Sequence, residues 1–184
     1  MDSARRAAYS VAVAAGQLES AIVVSVTLPS ALERLRRRDT DVAALGVPAH
    51  VTVLYPFVPT GLLTPSIRDA VARIASAAGR FTVRFERVER WPGVVWLAPE
   101  PAAPFGRLIA TACAAFPNYP PYGGTIDEPT PHLTIAEGGA IDADATVAAA
   151  NPHLPFERAV SAITVIAEQS PGRWRVRWRL PLRR

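Results

Sequence analysis

Apolar and polar positions alternate in short segments along the chain, and this pattern predicts several strands. Residues 21–28 (AIVVSVTL) form an apolar run typical of a buried strand, and residues 50–56 (HVTVLYP) alternate as a half-buried strand does. The same criteria predict strands over residues 81–88, 94–98, 132–136, 158–167 and 173–180. Because Pro92-Gly93 forms a turn between the 81–88 and 94–98 segments, we expect those two strands to form a hairpin.

Helices are predicted between these strands, over residues 31–38, 65–78, 104–116 and 142–150. The clearest signals belong to the second of them, because Thr64-Pro65 is a favourable helix start and Gly79 a favourable end. Antiparallel hairpins mixed with short helices indicate the α+β class.

Two of the three histidines begin the same four-residue pattern. Residues 50–53 read HVTV and residues 132–135 read HLTI, so each copy is His, apolar, Thr, apolar. Side chains at positions i and i+2 of a strand share a face. Each copy therefore places an imidazole beside a hydroxyl, with aliphatic side chains on the other face. The copies stand about half a chain apart, and together they would surround one pocket.

Such a pocket suits phosphodiester cleavage, with His50, His132, Thr52 and Thr134 as the candidate catalytic residues. A neutral imidazole accepts a proton and a charged imidazole donates one to the leaving oxygen. Threonine hydroxyls donate hydrogen bonds to the non-bridging phosphate oxygens. Apart from Glu137, the chain offers no Asp/Glu cluster near either motif, and there is no H-E-x-x-H spacing, so no metal site is predicted.

These paired motifs resemble the 2H phosphoesterase superfamily, the group that contains 2′-5′ RNA ligases and cyclic phosphodiesterases. Residues 48–57 (PAHVTVLYPF), residues 119–136 (YPPYGGTIDEPTPHLTIA) and the closing hairpin through Trp174 are similar to bacterial proteins of the 2′-5′ RNA ligase family. The resemblance covers residues 20–182.

The resemblance implies a bilobal fold with pseudo-twofold symmetry, in which two antiparallel sheets flank a central groove and the helices lie outside. It implies cleavage of 2′,3′-cyclic phosphates of nucleotides or RNA ends without a metal, ATP or another cofactor. The same groups could also run 2′-5′ RNA ligation reversibly. By similarity to the family, His132 is the base toward water and His50 the acid toward the leaving oxygen.

Three other functions remain open at this stage. Two are enzymatic, namely a small-molecule cyclic phosphodiesterase acting on a substrate such as ADP-ribose 1″,2″-cyclic phosphate, and a 2′-5′ oligonucleotide phosphodiesterase. The third is an RNA-binding module on the same scaffold without turnover. The two complete His-Thr sets argue against the third, because a protein that only binds has no need of both imidazoles.

Aromatic, basic and histidine side chains outside the motifs have alternative interpretations. Tyr122 is a candidate substrate-binding residue that could stack on a base, or it could pack its Pro-rich loop, whereas packing is favoured for Tyr119. By strand parity Tyr55 faces away from His50 and packs. His153 lies between prolines and is expected at the surface.

The last strand alternates tryptophan and aliphatic residues with arginines, and we expect Trp174, Val176, Trp178 and Leu180 to face the core. The arginines opposite them, like the 36–38 run, could meet RNA phosphates, but solvation is favoured. All 20 basic residues of the chain are arginine and the formal net charge is +4, which permits an anionic ligand without demanding one.

The 184-residue length predicts one bilobal domain over residues 20–184, preceded by an N-terminal arm or helix over residues 1–19. One cysteine, Cys113, excludes a disulfide framework. The alanine-rich segment after Arg5-Arg6 is a weak imitation of a signal peptide, so a cytoplasmic protein is expected. No apolar run is long enough to span a bilayer. We expect a monomer whose partner is a nucleotide or RNA-end substrate.

Overall fold

Two four-stranded antiparallel sheets dominate the computed structural model, which describes residues 17–126 and 128–184. In the first sheet the strand order is β2-β1-β7-β8, and in the second it is β5-β4-β3-β6. The strands are β1 (Ser20–Ser25), β2 (His50–Leu54), β3 (Phe81–Trp91), β4 (Val94–Glu100), β5 (Leu133–Glu137), β6 (Phe156–Val160), β7 (Ala162–Ser170) and β8 (Arg173–Pro181). The α+β class is therefore confirmed.

Five α-helices connect these strands within the described residues: α1 (Ser30–Asp39), α2 (Asp41–Ala44), α3 (Pro65–Ala77), α4 (Ala103–Ala115) and α5 (Ala143–Ala150). The Thr64 side chain accepts a hydrogen bond from the Ile67 amide at the start of α3, and Asp142 does the same for Ala145 at the start of α5. None of the described helices has the length and apolar character needed to cross a membrane. Most of the predicted N-terminal arm lies outside the described residues.

Each sheet contains the same three-element unit, which gives the fold its pseudo-twofold symmetry. In the first unit α1 lies between the paired strands β1 and β2, and in the second α4 lies between the paired strands β4 and β5. Helix α1 packs on β5 and α4 packs on β2, so each helix covers the edge strand of the other unit. The edge strands β2 and β5 also contact each other, which brings the two motifs together.

The main core lies on one face of each sheet, and the other face of each sheet stays open. Ile22, Val24, Val51 and Val53 of the first sheet point into the main core, together with Leu97 and other residues of the second. A small cluster with Val23 and Ile166 lies on the open face of the first sheet. A second one, with Val94, Trp96 and Ala98, lies on the open face of the second.

The predicted strand over residues 158–167 is wrong, because this segment forms parts of two strands in different sheets. β6 pairs with β3 and ends at Val160, and β7 pairs with β1 and begins at Ala162. Only Ser161 separates them, and its carbonyl accepts a hydrogen bond from the Leu182 amide. A pattern of apolar residues without Gly or Pro gives no local signal for such a change of sheet.

The prediction that four alternating residues of the last strand face the core is correct for two of them and wrong for the other two. Trp178 and Leu180 pack on the main core, but Trp174 packs on the open-face cluster and Val176 pairs with Ile166 of that cluster. The pairing register shifts between Val165 and Ile166, and this bulge changes the phase of β8. Val176 is consequently 58% exposed.

Candidate active site

Both motifs lie at the start of an edge strand. The sequence predicts that each histidine is the first residue of its strand, which holds for the first motif and is one residue off for the second. His50 is the first residue of β2 and pairs with Ser25, whereas His132 directly precedes β5. Thr52 pairs with Val23 and Thr134 with Trp96, both on the open faces. Because β2 and β5 contact each other, the structure brings the two histidines onto neighbouring strands, close enough for the charge of His132 to lower the pKa of His50.

The two imidazoles are held by matching hydrogen bonds. Nδ1 of His50 donates to the carbonyl of Pro48 at 2.8 Å, and Nδ1 of His132 donates to the carbonyl of Thr130 at 2.7 Å. In each case the acceptor stands two residues before the histidine. Because a carbonyl only accepts, the Nδ1 nitrogen carries the proton on both rings, and in the neutral ring Nε2 is the nitrogen that can accept one.

The two threonine hydroxyls are available to a ligand. Thr52 and Thr134 are both partly buried, and neither hydroxyl has a hydrogen-bond partner within residues 17–126 and 128–184. Two uncharged donors beside two imidazoles match the needs of a phosphate group.

A β-bulge follows each motif at the same place. In β2 the pairing with β1 shifts by one residue between Thr52 and Leu54, so that Val53 is the extra residue and Leu54 resumes the pairing. In β5 the pairing with β4 shifts in the same way, with Ile135 extra and Ala136 resuming the pairing. The side chains of both extra residues and of both residues that resume the pairing are buried. Each bulge therefore reverses which sheet face the side chains after the His-Thr pair point to.

The bulge overturns the prediction that Tyr55 faces away from His50. Tyr55 packs on the open-face cluster that contains Val23, the pairing partner of Thr52, and its hydroxyl donates to Glu19 at 2.7 Å. Its backbone carbonyl also accepts a hydrogen bond from the Tyr122 amide. The packing role expected for Tyr55 is thus confirmed, on the opposite face.

Arg36 is a site residue that the sequence interpretation missed. It was expected to be solvated with its neighbours in the 36–38 run, but it is only 2% exposed. Its Nη2 donates to the carbonyls of Val47 and Pro48 at 3.0 and 3.2 Å. The Pro48 carbonyl therefore accepts from both Arg36 and His50. The position of Arg36 beside buried Leu32 and Leu35 on one helix face was the available signal.

The surroundings of His50 keep its imidazole neutral. Burial, together with the positive charges of Arg36 and His132, lowers the pKa of His50 from its usual 6.5 to about 4. The hydrogen bond to Pro48 opposes this effect without reversing it. Arg36 itself has a lowered pKa, because burial outweighs the attraction of Glu33.

Aromatic side chains surround His132 instead. The ring centroid of Trp91 lies 4.7 Å from that of His132, and the ring centroid of Trp96 lies 5.9 Å away, both in edge-on arrangements. The Trp96 indole Nε1 is buried and has no hydrogen-bond partner among the described residues. Neither tryptophan was singled out from the sequence, because their place beside His132 depends on strand pairing.

Tyr122 lines a cavity of about 200 Å³ with Trp91 and His132, and Ile126 and Pro129 complete much of its wall. Its backbone has a φ of 52°, a left-handed conformation that is uncommon for an aromatic residue and often found at ligand sites. The Tyr122 amide donates to the Tyr55 carbonyl at 2.7 Å, which ties the loop to the first motif.

The remaining candidates lie as expected. Tyr119 packs against Phe57, with ring centroids 6.2 Å apart, and His153 is exposed in a short turn after α5. Within residues 17–126 and 128–184, no three His, Cys, Asp or Glu side chains are grouped so that they could hold a metal ion.

Comparison with solved structures supports the fold assignment. The protein TT0787 of Thermus thermophilus aligns with a TM-score of 0.59 and 21% identity over 90% of this chain and 98% of its own. A crystal structure described as a phosphoesterase aligns with a TM-score of 0.54 and 17% identity over 91% and 99%. E. coli LigT complexed with NADP+ aligns with a TM-score of 0.51 and 18% identity over the same shares.

A family model matches this chain, whereas no individual curated protein does. The model of the 2′-5′ RNA ligase superfamily matches residues 24–172, which includes both motifs and most of the two sheets. With this match and the fold described above, the chain belongs to the 2′-5′ RNA ligase superfamily.

Proposed function

We propose that this protein is a metal-independent phosphodiesterase that hydrolyses the 2′,3′-cyclic phosphate of nucleotides or RNA ends. Membership of the superfamily supports an enzymatic role in general. The cyclic substrate is our inference from the two His-Thr pairs, and the complex of E. coli LigT with NADP+ adds support for a nucleotide ligand.

One observation carries the proposal, namely that both imidazoles are fixed through Nδ1 to a backbone carbonyl two residues before them. In its neutral form each ring therefore presents Nε2 as the proton acceptor, and two threonine hydroxyls with no protein partner among the described residues stand beside the histidines. Opening a cyclic phosphate requires one proton acceptor and one proton donor on opposite sides of phosphorus, and the two rings supply both.

In the proposed reaction, water attacks phosphorus while one imidazole removes its proton. The bond from phosphorus to one ribose oxygen breaks, and the other imidazole, charged at the start, donates its proton to that oxygen. The product is a ribose with one free hydroxyl and one phosphate monoester. Thr52 and Thr134 hold the non-bridging oxygens and stabilise the charge that builds on them.

Arg36 supports the reverse of the role assignment that the family resemblance implies. Because a buried guanidinium and His50 share the Pro48 carbonyl, a second positive charge on His50 is unfavourable. We therefore assign His50 as the base and His132 as the acid. The negative charge of a bound phosphate favours the protonated form of His50 and brings its pKa closer to neutrality, where a base works best.

The cavity beside His132 supports binding of a nucleobase. Trp91 and Tyr122 line the cavity, and aromatic rings can stack on any base, while Ile126 and Pro129 add apolar walls. The cavity adjoins His132, so a base held there would place its ribose phosphate near the two Nε2 atoms.

Turnover of a panel of 2′,3′-cyclic nucleotides in the presence of EDTA tests the proposal. We expect hydrolysis by the wild-type protein and loss of hydrolysis in H50A and H132A, with H153A as a matched control because His153 is exposed and outside both motifs. Activity that disappears in EDTA and returns with a divalent ion would contradict the mechanism. So would equal loss of turnover in H153A.

A further inference from the structure

A second cavity, of about 310 Å³, lies on the open face of the first sheet and shares no lining residue with the aromatic cavity. We call it the Arg179 pocket, and its polar wall consists of Ser25, Thr27, Ser161, Thr164 and Arg179. It adjoins the active site directly, because Ser25 pairs with His50 and because Pro48, whose carbonyl binds His50, also lines it.

The chemistry of this wall suits a phosphate group. Its residues supply four hydroxyls and one guanidinium, and none of its lining residues is a carboxylate. Arg179 forms no ion pair within the described part of the chain, whereas Arg84 and Arg90 are paired with acidic neighbours. Guanidinium and hydroxyl groups together recognise phosphate oxygens well.

The strand register places Arg179, at the far side of the pocket, too far from the catalytic centre to bind the reacting phosphate itself. Thr52 pairs with Val23, Val23 with Thr164, and Thr164 with Arg179, so these four residues form one row across the sheet. Three strand spacings separate the backbones of Thr52 and Arg179 by about 14 Å. A phosphate at Arg179 must therefore be a neighbouring one.

We propose that the Arg179 pocket binds a second phosphate of the substrate, the one on the 5′ side of the terminal nucleoside. The inference rests on the function proposed above and narrows its substrate class to nucleotides or oligonucleotides that carry this additional phosphate. Thr164, which is only 4% exposed, offers a hydroxyl at the base of the pocket. Val176, which is 58% exposed, offers an apolar wall for the adjoining sugar.

The test compares three substrates that end in the same adenosine 2′,3′-cyclic phosphate: the nucleoside alone, the same nucleoside with a 5′-phosphate, and the dinucleotide ApA. We expect the added phosphate to raise kcat/KM about tenfold, the gain that one charged hydrogen-bonding contact typically supplies. The gain should appear with both phosphorylated substrates and shrink as salt is raised.

The ratio of kcat/KM with the 5′-phosphate to kcat/KM without it should fall to about one in the variant R179Q. In T164V this ratio should fall only partly. R175Q is the matched control, because Arg175 is exposed on the same strand but does not line the pocket. A wild-type ratio of one, or the same reduction in R175Q as in R179Q, would overturn the proposal. So would a gain with ApA alone that survives in R179Q, because the nucleoside rather than the phosphate would then be bound.

If no cyclic substrate is turned over, the proposed function fails. A binding measurement then tests whether the Arg179 pocket binds a phosphate. A fluorescent oligoadenylate with a 3′-phosphate can be titrated against the wild-type protein, R179Q and R175Q by anisotropy. Weaker binding in R179Q alone would support the pocket, and equal binding in all three proteins would contradict it.

Discussion

The two His-x-Thr motifs share their backbone design and differ in what surrounds the imidazole. In both, Nδ1 donates to a carbonyl two residues back, the threonine lies on an open sheet face, and a bulge follows. Behind His50, however, stands the buried guanidinium of Arg36, whereas the ring of His132 makes edge-to-face contacts with Trp91 and Trp96. A symmetric scaffold can therefore give its two imidazoles unlike surroundings, and those of His50 favour the neutral ring that a general base needs.

The largest expected effect comes from removing either imidazole. H50A and H132A should each lower the turnover of a 2′,3′-cyclic nucleotide by about 10²–10⁴, the usual contribution of one general acid or base. Their pH profiles should sharpen the comparison, because H50A removes the acidic limb and H132A removes the alkaline limb. Steady-state kinetics from pH 4 to 9 measures both, and near wild-type turnover in either variant would refute the two-histidine mechanism.

The threonines test the part of the design that the two motifs share. T52V and T134V keep the side-chain shape and remove a hydroxyl, and each should lower kcat by up to about 10²–10³. Because the two hydroxyls occupy equivalent positions, the two losses should be similar and should not alter the pH profile. Kinetics of both variants under identical conditions checks this, and a loss confined to one of them would show that the phosphate contacts are not symmetric.

Tyr122 tests a feature that only the second motif has. Y122A should raise KM for a cyclic nucleotide by about fivefold to 100-fold, the usual range for the loss of one stacked base. Y122F keeps the aromatic face and should bind nearly as well as the wild type. Isothermal titration with a nucleoside 3′-phosphate gives the same comparison without turnover, and equal affinity in Y122A and Y122F would exclude stacking on this ring.

Arg36 tests the feature that only the first motif has. Removing its charge in R36Q should raise the pKa of His50, because one of the charges that oppose the imidazolium is gone. His50 must be neutral to act as the base, so the acidic limb of kcat/KM should move to higher pH, by about one unit. R36K retains the positive charge, so the acidic limb of kcat/KM should stay at the low pH of the wild type even if the lysine loses a hydrogen bond.

R37Q is the matched control for this experiment, because Arg37 is the next residue of α1 and its side chain is exposed. Thermal unfolding of R36Q shows whether the loop that Arg36 holds remains folded. A folded R36Q protein whose acidic limb coincides with that of R37Q would mean that Arg36 does not set the protonation of His50.

The sequence was sufficient for the features that repeat locally. The paired motifs, the hairpin around Pro92-Gly93 and the helix after Thr64 all carry their signal within a few residues. The features that sequence reasoning missed depend on pairing between distant segments. The bulges at Val53 and Ile135 are set by register against β1 and β4, and the bulge at Val53 decides the face on which Tyr55 lies.

Burial of charge is the other feature that the sequence pattern did not reveal. Arg36, Arg37 and Arg38 read as one solvated run, but the helix turns Arg36 toward Val47 and Pro48 while its neighbours bind Glu33 and Asp39 at the surface. The side of α1 that meets the loop depends on how α1 packs on β5, which belongs to the other half of the chain.

The neutral state assigned to the His50 imidazole can be measured directly by a pH titration of ¹⁵N-histidine-labelled protein. NMR resolves the protonation state and tautomer of each of the three rings, and the H153A variant assigns one of them. We expect His50 to stay neutral, with its proton on Nδ1, from pH 8 down to about pH 5 and to become charged near pH 4. A His50 ring that titrates at or above its usual 6.5, or that carries its proton on Nε2, would contradict its assignment as the base.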